Sequence, residues 1–176
     1  MSNIVRYVIF LAALSAIIAS SVALNVYIKS ELAQQPRRTD TAESFRVMSY
    51  NIHHGEGMDR KIDLKRIARV IRQQEADIVA LQEVDVGVER SGRLDIVREL
   101  SELTGLKYHA FGKNLDHQGG AYGNATLSRY PIVREENTHL TKLGPEQRGI
   151  LQTVVKIEGR RLLLLNTHLD FRKEDA

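Results

Sequence analysis

Four short stretches of this chain end in groups suited to holding a metal ion and a phosphate: VMSYNIHHG (47–55), DIVALQEVD (77–85), GNATLSRYPI (123–132) and LLLLNTHLD (162–170). Three are apolar, strand-like runs that finish in Asn51, in Glu83 and in the pair Asn166 and His168. The other follows Tyr122 in a glycine-rich turn that holds Asn124. A carboxylate where an apolar strand leaves a sheet is costly unless it is paired or bound to a cation. Glu83 is therefore a candidate ligand for Mg²⁺ or Mn²⁺, hard ions that prefer oxygen and keep several waters. A helix cap or a surface ion pair would account for Glu83 alone equally well. Asn51 can contact the same metal or orient the carboxylate, and it can also simply start a turn. His53 and His54 follow, and adjacent side chains on a strand point to opposite sides, so at most one of them is expected to line a site. His168 can bond a phosphate oxygen or act as general acid, or serve as a structural hydrogen-bonding group. Arg148 can pair with a site carboxylate or a phosphate.

These groups must be positioned by a mixed set of elements. The spacing predicts a strand over 45–51 and a loop over 53–59 with Gly55 and Gly57. A helix then follows, capped by Asp59 or Asp63, whose Leu64, Ile67, Ala68 and Ile71 make one apolar face. Asp77–Leu81 reads as a short buried strand. Leu94–Thr104 reads as a second helix, with Leu94, Val97 and Leu100 inward and Gly105 closing it. Strands are expected over 107–111 and 125–128, separated by a loop over 114–124, and 132–140 is expected to be extended. A hairpin over 149–157 and 161–167 turns at Glu158-Gly159. Helices early and strand pairs later define an α/β pattern. No Walker P-loop, no GxSxG elbow and no repeat at solenoid periods occurs.

In order and spacing, SYNIH (49–53), DIVALQEVD (77–85), GNATLSRYPI (123–132), QRGIL (147–151) and LNTHLD (165–170) resemble the endonuclease/exonuclease/phosphatase superfamily, the metal-dependent phosphoesterases that include DNase I-like nucleases, sphingomyelinases and inositol-polyphosphate 5-phosphatases. The resemblance runs from about Phe45 to Asp170. It implies a four-layer α/β sandwich with the site at one end of two facing sheets. It implies metal binding by Glu83 and Asn51, catalytic roles for His168 and Asn124, and phosphate-binding or supporting roles for Arg148, Asn166 and Tyr122. The family continues with a Gly-Asp-x-Asn segment and a late Asp-His pair, which do not occur before Ala176. The expectation is an incomplete sandwich over 45–176, a truncated phosphoesterase that is inactive or nearly so. The rival readings are a non-catalytic phosphate-binding module and a non-functional remnant.

The bulk properties are permissive. With 176 residues the chain can build one domain with a sizeable core. A net charge of +3 is compatible with an anionic substrate. With 6% aromatic residues and no Trp, the chain lacks the stacking platform and basic track that a nucleic-acid groove wants. Lipid headgroups and small phosphodiesters therefore suit it at least as well as nucleic acid. The absence of cysteine excludes disulfides and thiolate chemistry. Residues 7–28 form an uncharged, mostly apolar run expected to be helical and long enough to cross a bilayer. It reads as a signal peptide cleaved after Ser21-Val22-Ala23 or as a membrane anchor. Residues 29–44 read as a polar linker. Either reading places the domain outside the cytoplasm.

Overall fold

The computed structural model describes residues 44–142 and 144–169. The expected apolar helix at 7–28, and all of the linker but Ser44, lie outside the described residues. Seven strands and two helices follow one another as β1 (Val47–Asn51), α1 (Leu64–Gln73), β2 (Ile78–Val86), α2 (Ile96–Thr104), β3 (Tyr108–His117), β4 (Gly120–Ser128), β5 (Ile132–His139), β6 (Gly149–Ile157) and β7 (Arg160–Thr167). The strands make two sheets, ordered β1-β2-β4-β3 and β5-β6-β7. Only the β1–β2 pair is parallel. Helix α1 supplies the crossover between them, as a parallel connection requires.

Both helices start where an aspartate can cap them. Asp63 accepts from Arg66 N at 3.0 Å and Asp95 from Arg98 N at 3.1 Å. Asp59, the other candidate cap, instead forms an ion pair with Arg66. Gly105 closes α2 in the left-handed conformation. Ile67, Ala68 and Ile71 of α1 and Ile96, Val97 and Leu100 of α2 bury themselves against Val79, Leu81, Val84, Ala125 and Leu127 of the first sheet. The opposite face of that sheet meets the second sheet. There Ile78, Val155 and Ile157 form a smaller apolar cluster flanked by Tyr130, Ile132, Leu162 and Leu164.

The layers are thus helix, sheet and sheet, the α/β arrangement expected. On the far face of the second sheet Val133, Leu163 and Leu165 stand exposed. A groove lined by Val133, Gln152, Val154, Arg161 and Leu163 lies on that face.

Two expectations need correction. Residues 114–124 are not a loop: β3 runs on to His117 and β4 begins at Gly120, so Tyr122 and Asn124 sit in a strand. The glycines there had read as a loop. They instead permit a tight hairpin and a close strand approach. A Cβ on Gly123 would fall inside the van der Waals shell of the Gly112 carbonyl, where β3 bulges at Asn114. The second correction concerns β2, which does not end at Leu81 but continues through Glu83 to Val86.

The backbone approach at Gly123 leaves nothing flexible to give way. Gly123→Ala should destabilise the fold by about 1–3 kcal/mol or more, measured as a lower midpoint in urea denaturation.

Candidate functional site

Glu83 owes its position to a β-bulge. Leu81 pairs with Ala125 and Val84 with Gly123, so Gln82 and Glu83 together oppose Asn124 alone. In a regular strand Glu83 would follow Val79 and Leu81 onto the helix face. The extra residue lets Val84 take that buried place and turns Glu83 out to the rim. Glu83 adopts φ 58°, a left-handed conformation that costs a non-glycine residue on the order of 1–3 kcal/mol.

Asn51 ends β1 beside the bulge. Its Nδ2 donates to Glu83 Oε1 at 2.7 Å, and its Oδ1 accepts from His53 N at 3.0 Å. The second bond starts the short 3₁₀ turn His53–Gly55. His168 Nε2 lies 3.3 Å from the same Glu83 oxygen. Asn51, Glu83 and His168, brought from three distant segments, therefore share one carboxylate.

The turn after Asn51 overturns the expectation that at most one histidine faces the site. His53 and His54 both have positive φ, 45° and 44°. The chain is not extended there, and the two rings meet in a tilted contact, at 48° to each other with centroids 4.3 Å apart. One ligand atom from each of His53, His54 and Glu83 lies within 4.8 Å of the others. Gly55, at φ +90°, lets the turn press against Leu64. Burial, reinforced by Arg90 and His53, holds the His54 imidazole below its ordinary value of 6.5, so it is neutral at pH 7. The only sequence signal for this was the glycine after two histidines.

Asn166 and Asn124 lie beneath the rim. Asn166 is buried, and its Nδ2 donates to Leu81 O at 2.9 Å and Ala125 O at 2.8 Å. Its Oδ1 accepts from Gln82 Nε2 at 2.7 Å. Asn124 Nδ2 donates to Gly149 O at 3.2 Å and Asn166 O at 3.4 Å. Both amides thus bond the two sheets together and face the interior. Gln82, which was not among the expected site residues, completes this network.

On the other side of Glu83, Arg90 grips the buried Asp85 with Nε and one terminal nitrogen at 2.9 and 2.8 Å. Its guanidinium lies 5.4 Å from the centroid of the Tyr122 ring. Neither Asp85 nor Arg90 was among the expected site residues. Burial, with Glu83 and Glu146 close by, pushes the Tyr122 phenol up to about 12, although Arg148 opposes the shift. Arg148 itself is largely buried and pairs with Glu146 at 3.1 Å.

A carboxylate flanked by an amide and three imidazoles, with a phenol and two arginines near it, can hold a divalent cation and bind an oxyanion. A layered α/β fold with such a rim is of the phosphoesterase type. The Endonuclease/Exonuclease/phosphatase family model matches residues 48–171, and the chain belongs to that family. Family members are hydrolases of phosphate esters.

The chain is 34% identical over 140 residues to the uncharacterized protein YbhP of Escherichia coli (strain K12), covering 74% of this chain and 55% of YbhP. An endonuclease/exonuclease/phosphatase from Beutenbergia cavernae superposes with a TM-score of 0.57 at 28% identity, over 71% of this chain and 38% of that one. TDP2 of Caenorhabditis elegans gives 0.53 at 25%, over 73% and 47%. A mannosyl-6-phosphatase of Bacteroides thetaiotaomicron has the same fold, with a TM-score of 0.56 at 17% identity, over 74% and 54%. The chain spans about half the length of these relatives.

Asn166→Ala would take a donor from two buried carbonyls and one acceptor from the Gln82 amide. Each unsatisfied group costs about 1–3 kcal/mol, so thermal unfolding should show a loss larger than that of an ordinary surface substitution. For Tyr122 the folded state binds the phenolic proton more tightly than the unfolded chain, whose value is near 10. Its contribution is complete below pH 10 and lost as pH rises through about 12. Alkaline titration of tyrosinate absorbance should show one late-ionising phenol, and Tyr122→Phe should remove it.

Proposed function

We propose that this chain carries the metal- and phosphate-binding part of a hydrolase that cleaves phosphate esters with water. The observation that carries the reading is Glu83, turned out of β2 by a strained bulge and held on one oxygen by Asn51. Among the described residues the contacts of this carboxylate to Asn51 and His168 fall on Oε1, which leaves Oε2 toward a cation. The Glu83 carboxylate by itself suits a divalent cation such as Mg²⁺ or Mn²⁺, and it is the principal ligand. When bound, such an ion polarises a phosphoryl oxygen and stabilises the leaving oxygen.

The remaining roles follow from position. Asn51 fixes the carboxylate rotamer from the end of β1. His168 donates to a phosphate oxygen beside Glu83, or to the departing group. Tyr122 keeps its proton at neutral pH and offers a hydroxyl to the phosphate, and Arg148 supports it. Asn124 and Asn166 spend their amides on backbone carbonyls, so their role is to hold the bulge in place.

Among the described residues the cluster at Glu83 contains no aspartate free to orient water, because Asp85 is committed to Arg90. Turnover by this chain is accordingly proposed to lie near background. The uncharged run at 7–28 supports a domain anchored to or exported across a membrane. Among the described residues no helix is long and apolar enough to cross one. A lipid headgroup or a small phosphodiester is the favoured substrate class.

Two measurements on the full chain test this. Calorimetry with Mg²⁺ should show binding that Glu83→Ala abolishes. Hydrolysis of bis(p-nitrophenyl) phosphate should fall roughly 10²–10⁴-fold below that of an intact family enzyme, the contribution of one acid–base group. Mg²⁺ binding that survives Glu83→Ala would sink the metal assignment, whereas brisk Glu83-dependent hydrolysis would overturn only the proposed inactivity.

A further inference from the structure

We propose that His53 and His54 close, with Glu83, a mixed nitrogen–oxygen metal centre that selects a borderline transition ion such as Co²⁺ or Zn²⁺ over Mg²⁺. The inference rests on the reading of Glu83 as a metal ligand and concerns which metal that ligand holds.

The three donors sit within 4.8 Å of one another. A metal about 2.0–2.1 Å from each nitrogen holds its ligands roughly 3–4 Å apart. The gap left to close is small, and the exposed His53 ring can close it by rotation. His54 and Glu83 are the fixed members, one buried and the other tied to Asn51.

All three donors adopt the left-handed backbone conformation, at φ 45°, 44° and 58°. Without the two consecutive left-handed residues the rings would diverge, as neighbours on an extended strand do. The local backbone therefore brings two imidazoles and one carboxylate to a single point.

Their chemistry decides the ion. Mg²⁺ demands a near-octahedral shell of oxygens and gains little from imidazole. Imidazole suits the later divalent ions, whose affinity for a nitrogen-containing site rises along the first transition series. The cluster brings one formal negative charge and two neutral donors, a poor offer to a hard cation and a good one to Zn²⁺ or Co²⁺. Glu56 Oε2 lies 3.5 Å from His54 Nε2. A carboxylate on one ring nitrogen is the usual outer partner of a metal-bound histidine. Arg90 is one of the cations nearby, and it is paired with the buried Asp85.

The test is binding, independent of turnover. The full chain is titrated with Co²⁺, followed by its visible absorption, and with Zn²⁺ and Mg²⁺ by calorimetry. His53→Ala, His54→Gln and Glu83→Gln are compared, with His109→Ala on the edge strand as control and far-UV circular dichroism as the check on folding. His53→Ala and His54→Gln should each weaken Co²⁺ and Zn²⁺ by roughly tenfold or more and leave Mg²⁺ unchanged, while Glu83→Gln should lose all three. Co²⁺ and Zn²⁺ affinities untouched by both histidine variants, but lost in Glu83→Gln, would overturn this inference and leave the Glu83 site standing. Binding that survives Glu83→Gln, or no divalent binding at all, would overturn both.

Discussion

Asn166 donates to Leu81 O and Ala125 O, accepts from Gln82, and does all of this in the dry space between two sheets. Its carbonyl acceptors flank the point where β2 carries one residue more than β4. A bulge at such a place leaves backbone groups without ladder partners, and burial makes an unpartnered carbonyl expensive. The amide from β7 meets that cost, and the bulge persists. The outward turn of Glu83, the burial of Val84 and the meeting of Glu83 with Asn51 and His168 all depend on it. One side chain from late in the chain thereby sets the geometry of a carboxylate from early in it.

The layer between the sheets changes character along its length. At one end Ile78, Val155 and Ile157 pack as an ordinary apolar core. Toward Glu83 the same layer holds Gln82, Asn124, Thr126, Thr153 and Asn166, all buried. The interface between helices and sheet is built mainly of hydrocarbon. Apolar burial is non-directional and stabilises without specifying register. A buried amide has directional demands and stabilises only in one arrangement. Where the rim must be held to a fraction of an ångström, the protein uses amides, and elsewhere it uses hydrocarbon.

The resemblance to solved structures lies in this scaffold, and identities of 28% and below leave the rim free to vary. Here the rim carries paired histidines on a left-handed turn, the Arg90–Asp85 pair and the Tyr122 phenol. On the outer face of the second sheet Leu163 and Leu165 are more than half exposed, at 56% and 58%. Both faces of β7 are apolar there, because successive leucines point to opposite sides of the sheet.

Much was legible in the residues themselves. Helix caps at Asp63 and Gly105, the apolar face of α1 and the turn at Glu158-Gly159 follow from rules acting over three or four residues. The order of the polar strand ends also identified Asn51, Glu83 and His168 as groups to watch. Local rules failed where a distant partner intervened. Residues 114–124 read as a loop because glycine normally breaks strands, whereas here it lets β3 and β4 approach each other. Asn124 and Asn166 read as groups facing a ligand, since nothing in a linear pattern tells an inward amide from an outward one. His53 and His54 read as diverging, because a strand-like neighbourhood hides a left-handed turn. Sequence alone determined which residue types were available and which elements would carry them, since propensity and capping are short-range. Only the tertiary structure decided which side chains face one another, because that depends on a bulge stabilised by a side chain more than eighty residues away.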